Sequence, residues 1–375
     1  MKTSNHLLRR LTAALLAAVL ALSIALPVFA SDDGDTIYIN SVSDLLSLAR
    51  SCAYDQWSVG KTVILQKDLS LEGMLWEPIP SFSGQFKGNG HTISDLTITG
   101  QYSPAGLFGI VEEQGSIESL SVRGVVSVSD SADTTTGGIV GINHGTLISC
   151  QFTGVVTGDS EVGGIVGRNE SEGTIDHSTA RAIVTGKSST GGIAGYNLGA
   201  ITGCTNVGSI NTEYPEASLD TDGFTAKMVD YINNKMAAAA DDATNSVTNV
   251  ATDTGGIAGR SSGMILTSVN TGTIGYEHVG YNVGGIVGRT DGLVSGCVNQ
   301  GRVLGRKDVG GIAGQAEPYR ELDLSKDTIK RLRSELEVLR GLVDDTTGVV
   351  ENSTTSISNS FSAMTSQMDL SLIHI

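Results

Sequence analysis

Gly137-Gly138-Ile139-Val140-Gly141 decides the fold, because close copies of this stretch recur along the chain. Further copies lie at 163–167, 191–195, 255–259, 284–288 and 310–314, and a looser copy lies at 105–109. Their second positions are residues 106, 138, 164, 192, 256, 285 and 311, so successive steps are 32, 26, 28, 64, 29 and 26 residues. A period in the twenties indicates a solenoid whose units stack only on their neighbours.

Two further β-branched segments follow each copy, such as residues 145–148 and 154–157 after Gly141. Short β-branched segments bounded by glycine are typical of strands separated by tight bends. We therefore expect three short strands per coil of a parallel β-helix. Glycine is expected at the corners because it adopts positive φ without strain.

Alignment of the copies predicts ladders of inward-facing side chains that form one continuous core. The first-strand ladder is Leu107, Ile139, Ile165, Ile193, Ile257, Ile286 and Ile312. The second is Ile117, Leu147, Ile175, Ile201, Ile265 and Val294, and the third is Val126, Val156, Val184, Ile210, Ile274 and Val303. Another column contains Asn206, Asn270 and Asn299, which we interpret as stacked amides that stabilise a bend rather than as a ligand site.

Three of the four cysteines share one column of the repeat. This column is Leu120, Cys150, Ser178, Cys204, Ser268 and Cys297. Alternate coils are about 9.6 Å apart, at about 4.8 Å per coil, which exceeds the roughly 7 Å limit on Cα separation for a disulfide. We therefore predict four free thiols, with Cys52 distant in an N-terminal cap.

The Gly-Gly-Ile-Val-Gly core and its two following segments resemble the GLUG repeat of bacterial surface proteins, over roughly residues 37–315. Residues 82–93 look like the coil that often opens such right-handed β-helices. The resemblance implies an all-β solenoid, a right-handed parallel β-helix. Such repeats occur in adhesin-like proteins and also ahead of the catalytic part of IgA-specific zinc metallopeptidases. The HExxH motif of those peptidases is absent from this sequence.

Residues 1–30 are typical of a secretory signal peptide, with a basic start, an apolar run over 11–26 and small residues before Ser31. A membrane anchor is the competing interpretation, but the run is short for a spanning helix. We expect a secreted, extracellular chain that is associated with the cell surface. The formal net charge of −16, from 40 acidic and 24 basic side chains, argues against nucleic acid as a partner.

Residues 31–81 are predicted to form an N-terminal cap, and residues 82–315 the β-helix. In the cap, Ser43 is expected to begin a short helix, and Trp76 to pack in the core rather than form a sugar-stacking platform. A helical insertion is predicted at 212–253, where apolar residues recur every three or four positions.

Residues 316–369 are predicted to form a coiled-coil-like helical segment, because apolar residues from Ile329 recur every seven positions. We expect this segment and the insertion to pack on each other or on a missing C-terminal part. Residues 370–375, Leu-Ser-Leu-Ile-His-Ile, resemble a translated sequencing adapter. We interpret them as an artefact, with the natural chain continuing beyond about Asp369 and the present sequence being a fragment.

Several polar residues are candidates for a functional site. Asp130, Asp133, Asp159 and Asp176 lie in different phases of the repeat and are expected to be solvated turn residues, and His144, His177 and His278 share no column. A further column follows the repeat motif: Ile110, Ile142, Arg168, Tyr196, Arg260, Arg289 and Gln315. It is either a surface ligand site or, as we favour, a solvated sheet face. The sequence therefore assigns no catalytic, cofactor-binding or metal-binding residue, and no cofactor.

These patterns favour a secreted or cell-surface bacterial protein that is non-catalytic in the present portion. It would support adhesion or bind an extracellular protein or glycan. The alternative is the N-terminal part of a truncated extracellular enzyme, either an IgA-type zinc metallopeptidase or a glycan-acting β-helix. Enzymatic activity therefore stays open, with a non-catalytic role favoured.

Overall fold

A computed structural model of the chain describes residues 35–54, 56–128, 134–212, 251–317, 335–339, 362–364 and 366. The predicted signal peptide, nearly all of the predicted insertion and residues 370–375 lie outside this described part. The chain divides into two compact units, Met1–Glu317 and Pro318–Ile375. In the second unit, residues 335–339 and 362–364 are helical, and most of the predicted heptad pattern lies outside the described residues.

The first unit is a parallel β-helix, as the repeat predicts. Its strands form four parallel sheets, which we number in the order in which one coil of chain visits them. Sheet 1 contains β10 (Thr136–Gly137), β14 (Val162–Gly163), β18 (Ser188–Gly191), β23 (Thr252–Gly255), β27 (Tyr281–Gly284) and β31 (Lys307–Gly310). Sheet 2 contains β4 (Ile79–Phe82), β7 (Phe108–Val111), β11 (Val140–Asn143), β15 (Val166–Asn169), β19 (Ala194–Asn197), β24 (Ala258–Ser261), β28 (Val287–Thr290) and β32 (Ala313–Ala316).

The other two sheets complete each coil. Sheet 3 contains β1 (Thr36–Ile39), β2 (Thr62–Leu65), β5 (Gln85–Lys87), β8 (Ser116–Glu118), β12 (Thr146–Ile148), β16 (Thr174–Asp176), β20 (Ala200–Thr202), β25 (Met264–Leu266) and β29 (Leu293–Ser295). Sheet 4 contains β3 (Leu69–Ser70), β6 (Thr92–Gly100), β9 (Ser121–Val128), β13 (Gln151–Thr157), β17 (Thr179–Thr185), β21 (Thr205–Asn206), β22 (Ser209–Ile210), β26 (Val269–Asn270) and β30 (Val298–Asn299).

The expectation of three strands per coil is wrong, because the repeat motif covers a corner between two strands. Gly137 ends β10, Ile139 lies in the bend, and Val140 begins β11. A short strand of sheet 1 therefore ends at the first glycine of each of the six close copies. The ladder assignments are nevertheless confirmed: Leu147 pairs in register with Ile117 and Ile175, and Val156 with Val126 and Val184.

The motif glycines are required by close approach of adjacent coils rather than by positive φ. None of the glycines of the motif copies has φ in the left-handed region. A Cβ atom added to Gly164 would overlap the carbonyl oxygen of Gly192, and one added to Gly192 would overlap that of Gly256. The repeat therefore keeps glycine because the backbone of the next coil occupies the space of a side chain.

The core runs through the solenoid and loses its cover at the last coil. Ile139, Ile165, Ile193, Ile257 and Ile286 are completely buried, whereas Ile312 is 42% exposed. The last strands, β29 to β32, each pair on one side only. Burial of the ladder isoleucines thus depends on a coil being stacked on both sides.

At the other end, helix α1 (Val42–Ser51) packs against β1 and β4. The predicted N-cap at Ser43 is wrong: Ser41 holds this position, because its extended backbone lets its hydroxyl accept a hydrogen bond from the Asp44 amide at 3.2 Å. Leu45 and Leu48 are buried. Trp76 is also buried and donates from Nε1 to the Leu107 carbonyl at 3.2 Å, as expected of a core residue.

Two ladders of asparagine run through the bends. The predicted one is confirmed: Nδ2 of Asn206 donates to Oδ1 of Asn270, and Nδ2 of Asn270 donates to Oδ1 of Asn299, each at 2.7 Å. The second ladder, which the sequence analysis missed, joins Asn143 to Asn169 at 2.8 Å and Asn169 to Asn197 at 2.9 Å. Its signal was a polar residue five positions after the second glycine in five copies, at Asn143, Asn169, Asn197, Ser261 and Thr290.

Candidate functional site

The outer column of sheet 2 contains the residues that the sequence analysis left between a ligand site and a solvated face. Arg168, Tyr196, Arg260 and Arg289 lie in register on four consecutive strands, β15, β19, β24 and β28. We call these four residues the arginine column. Each side chain is partly buried and partly open to solvent. Adjacent coils are about 4.8 Å apart, so the four side chains form a continuous stripe along the solenoid.

Tyr196 is held between two guanidinium groups. The Cζ atoms of Arg168 and Arg260 each lie 5.2 Å from the centre of the tyrosine ring. These are cation–π contacts from the coils on either side, and each is worth about 0.5–1 kcal/mol at an exposed position. The phenol oxygen lies 3.3 Å from Oγ of Ser262. Both faces of the ring are therefore covered, so Tyr196 cannot stack on a sugar ring.

Carboxylates accompany two of the three arginines. Arg168 forms ion pairs with Glu161 at 2.8 Å and with Glu170 at 3.7 Å. Arg289 donates from Nη2 to Oε2 of Glu317 at 2.6 Å. The hydrogen bond to Glu317 is the main cause that raises the pKa of Arg289 above its usual value. These two arginines are therefore largely neutralised by their own neighbours.

Arg260 differs from the other two arginines. Among the described residues it forms no ion pair and no hydrogen bond, and the Tyr196 ring is its recorded partner. A guanidinium group carries five N–H donors in a fixed planar arrangement that matches a carboxylate or phosphate. In the column, Arg260 therefore has N–H donors available for a ligand, whereas Arg168 and Arg289 on either side of it are ion-paired with glutamates.

The sequence analysis missed the acidic partners of the column. Glu170 is two residues after Arg168 and therefore projects from the same face of the chain, which was a readable signal. Glu161 precedes the repeat motif and reaches Arg168 across the corner between sheets 1 and 2. Its position depends on the geometry of that corner, for which the sequence carried no signal.

The structure does not bring the weighed aspartates together. Asp176 belongs to β16 in sheet 3 and contacts His177 at 2.8 Å. Asp159 precedes sheet 1 and is ion-paired with Lys187. Asp130 and Asp133 lie outside the described residues. Within the part of the chain that the structure describes, no three His, Cys, Asp or Glu side chains are grouped as metal ligands.

The cysteine column is buried and contains free thiols. Cys150 and Cys204 are buried, Cys297 is partly buried, and all four cysteines are unpaired. Burial raises the pKa of Cys150 and of Cys204 to about 12. The Cys150 amide donates to Oγ of Ser178 in the next coil at 3.1 Å. These thiols therefore behave as packing groups and not as nucleophiles at neutral pH.

In the described ranges, no helix has the length and apolar character that crossing a bilayer requires.

No family model matches the chain. Halomucin from Haloquadratum walsbyi is 31% identical over 155 aligned residues, and the match covers 38% of this chain and 2% of halomucin. A provisionally named Gly-rich membrane protein from Evansella cellulosilytica is 29% identical over 137 aligned residues, and the match covers 26% of this chain and 16% of that protein.

The chain therefore spans only a small fraction of the length of the curated relatives it matches. A structural comparison finds the crystal structure of a provisionally named immunoglobulin A1 protease from Bacteroides ovatus. The two chains are 18% identical and superpose with a TM-score of 0.46, covering 76% of this chain and 84% of that one.

Proposed function

We propose that this chain is the repeat-bearing part of a secreted or cell-surface protein, built from GLUG-type coils, which binds an extracellular protein or glycan without catalysing a reaction. The observation that carries the proposal is the arginine column. It displays three guanidinium groups within four consecutive coils of a rigid scaffold, and a surface built from stacked coils suits an extended ligand. The names of the two relatives, a halomucin and a membrane protein, support a surface location.

Rigidity favours binding through this face. Arg168, Tyr196 and Arg260 hold one another by cation–π contacts, and each is carried by a strand paired on both sides. Side chains that are ordered before binding lose less conformational entropy when a ligand arrives. The column can therefore bind through a few charged contacts without rearrangement of the solenoid.

Secretion is tested first. The full chain is expressed in a bacterial host, and the cellular and extracellular fractions are compared. We expect the protein outside the cytoplasm with an N-terminus at Ser31, as identified by mass spectrometry. An uncleaved chain retained in the cytoplasm would contradict the proposed location.

Binding is tested with the purified secreted protein on an array of extracellular glycans and on host-cell surfaces. We expect saturable binding without release of cleavage products. Release of sugar fragments, or cleavage of an immunoglobulin A substrate, would favour the enzyme alternative. Absence of binding to every glycan and cell type would refute the proposed function.

A further inference from the structure

We propose that Arg260 is the principal ligand-binding residue of the arginine column, and that it takes a carboxylate of an acidic polysaccharide running along the solenoid. This inference rests on the proposed binding function and specifies its ligand class. It assigns ligand binding to one residue and one chemical group, because the other two arginines of the column already form ion pairs with glutamates.

Two of the three arginines in the column already have carboxylate partners. Glu161 and Glu170 bind Arg168, and Glu317 binds Arg289. An incoming anion would have to displace a carboxylate from either of these arginines. At Arg260 no described carboxylate has to be displaced. An anionic ligand therefore gains most by contacting Arg260.

Arg260 is held in place by its contact with Tyr196. Its guanidinium lies over the Tyr196 ring, whose opposite face is covered by Arg168. Contact with the ring restrains the guanidinium group, and its N–H donors, which have no partner among the described residues, are left for a ligand. Two parallel N–H groups on one edge bind both oxygens of a carboxylate. Lysine cannot reproduce this arrangement, because its ammonium is a point charge on a flexible chain.

The arginine column does not suit a neutral sugar as its main ligand. Sugar rings commonly bind by stacking on an exposed aromatic face, and both faces of Tyr196 are covered by arginine. The column therefore offers charge and hydrogen-bond donors rather than an aromatic platform. A ligand recognised here must bring negative charge.

The arginine column suits an acidic polysaccharide better than an acidic polypeptide. Positions along the column repeat about every 4.8 Å, whereas same-face side chains of an extended peptide repeat about every 6.6 Å. A peptide running along the column would fall out of step with it within two coils. The acidic partners of Arg168 and Arg289, and the net charge of −16, also repel densely charged chains. An acidic polysaccharide with one carboxylate per sugar ring has a lower charge density than a polypeptide with one carboxylate on every residue.

The test uses the purified full chain and measures binding by isothermal titration calorimetry at low ionic strength. Polygalacturonate is the carboxylated probe, dextran is the neutral polysaccharide, and poly-L-glutamate is the acidic polypeptide. We expect binding of polygalacturonate, with weak or no binding of the other two. Raising the salt concentration should weaken this binding, because the contact is between charges open to solvent.

Variants then assign the residue. Arg260→Gln should weaken polygalacturonate binding at least about tenfold, as expected for loss of hydrogen bonds to a charged group. Arg260→Lys keeps the charge and should restore only part of the affinity. Arg181→Gln, which changes an exposed arginine of sheet 4, is the matched control and should leave the affinity unchanged. Unchanged thermal midpoints of all three variants show that the fold is retained.

Three outcomes overturn the inference. Equal affinity of the Arg260→Gln variant and the parent protein would remove Arg260 from the site. Equal binding of poly-L-glutamate, lost in the same variant, would make the ligand an acidic polypeptide. Binding to a neutral glycan or to cells, without binding to polygalacturonate, would leave the proposed function standing and refute this ligand class.

Discussion

Asn206 and Asn270, separated by 64 residues in the sequence, are joined by a hydrogen bond of 2.7 Å from Nδ2 of Asn206 to Oδ1 of Asn270. Both side chains are fully buried. Asn270 also accepts from the Gly272 amide at 3.2 Å and donates to the Gly272 carbonyl at 3.0 Å. One amide therefore satisfies its own bend and links it to the neighbouring coils.

Asn270→Ala should destabilise the solenoid, because it leaves the Gly272 amide and carbonyl without their side-chain partner. A buried polar group without a partner costs about 1–3 kcal/mol. Urea unfolding followed by circular dichroism measures the loss. Asn299→Ala is the control, since Asn299 is only partly buried in the last coil and the groups it releases reach water. Equal losses in the two variants would show that the amide ladder does not stabilise the bends.

The first asparagine ladder could be predicted because a solenoid converts sequence repetition into spatial register. Asn206, Asn270 and Asn299 occupy equivalent positions of three copies, and equivalent positions stack. The second asparagine ladder was harder to recognise, because Ser261 and Thr290 replace asparagine in later copies.

The strand count and the chemistry of the arginine column could not be predicted in the same way. Strand ends depend on backbone hydrogen bonds at the corner around Ile139, which an aligned column does not record. The stacking of Arg168 and Arg260 on Tyr196 depends on side-chain rotamers in three coils. The repeat showed which residues are neighbours, but not which faces and edges they present.

Gly192→Ala should destabilise the protein strongly, because the new methyl group would overlap the Gly256 carbonyl and the side-chain amide of Asn206. Overpacking a tightly packed site typically costs about 1–3 kcal/mol. Gly311→Ala is a matched control at the equivalent position of the last coil, where a Cβ atom would meet nothing within 4 Å. We expect the thermal midpoint to fall for Gly192→Ala and to change little for Gly311→Ala. A similar fall in both would contradict the assignment of these glycines to contact between coils, because Gly311 has no such contact.

Ile193→Asp should disrupt several coils, because Ile193 is completely buried between stacked neighbours. A carboxylate without a partner in this position costs several kcal/mol. Ile312→Asp makes the same chemical change in the same column, but Ile312 is 42% exposed. Thermal unfolding should therefore show a large loss for the first variant and a small one for the second. Matching losses would contradict the inward assignment of this ladder.

The cysteines should differ in their reactivity towards alkylating reagents. Because burial raises the pKa of Cys150 and Cys204 from 9.0 to about 12, their thiolates are scarce near neutral pH. In the native protein, iodoacetamide should therefore modify the partly buried Cys297 before these two, and all four thiols should react in denaturant. Mass spectrometry after alkylation without reduction counts the modified sites. A disulfide between any two of Cys150, Cys204 and Cys297 would contradict the observed register.

The same thiols should contribute to alkaline unfolding. Their pKa is higher in the folded state than in the unfolded state, so the folded state holds the proton more tightly. Their contribution to stability is complete below about pH 9 and is lost as the pH rises towards about 12. The Cys150→Ser and Cys204→Ser double variant removes this titration, and serine already occupies the column at Ser178 and Ser268, where it is fully buried. Its free energy of unfolding should decline less between pH 9 and 12 than that of the parent protein, as measured by urea unfolding across that range. An identical decline would contradict the raised pKa of the buried thiols, because they would then titrate alike in the folded and unfolded states.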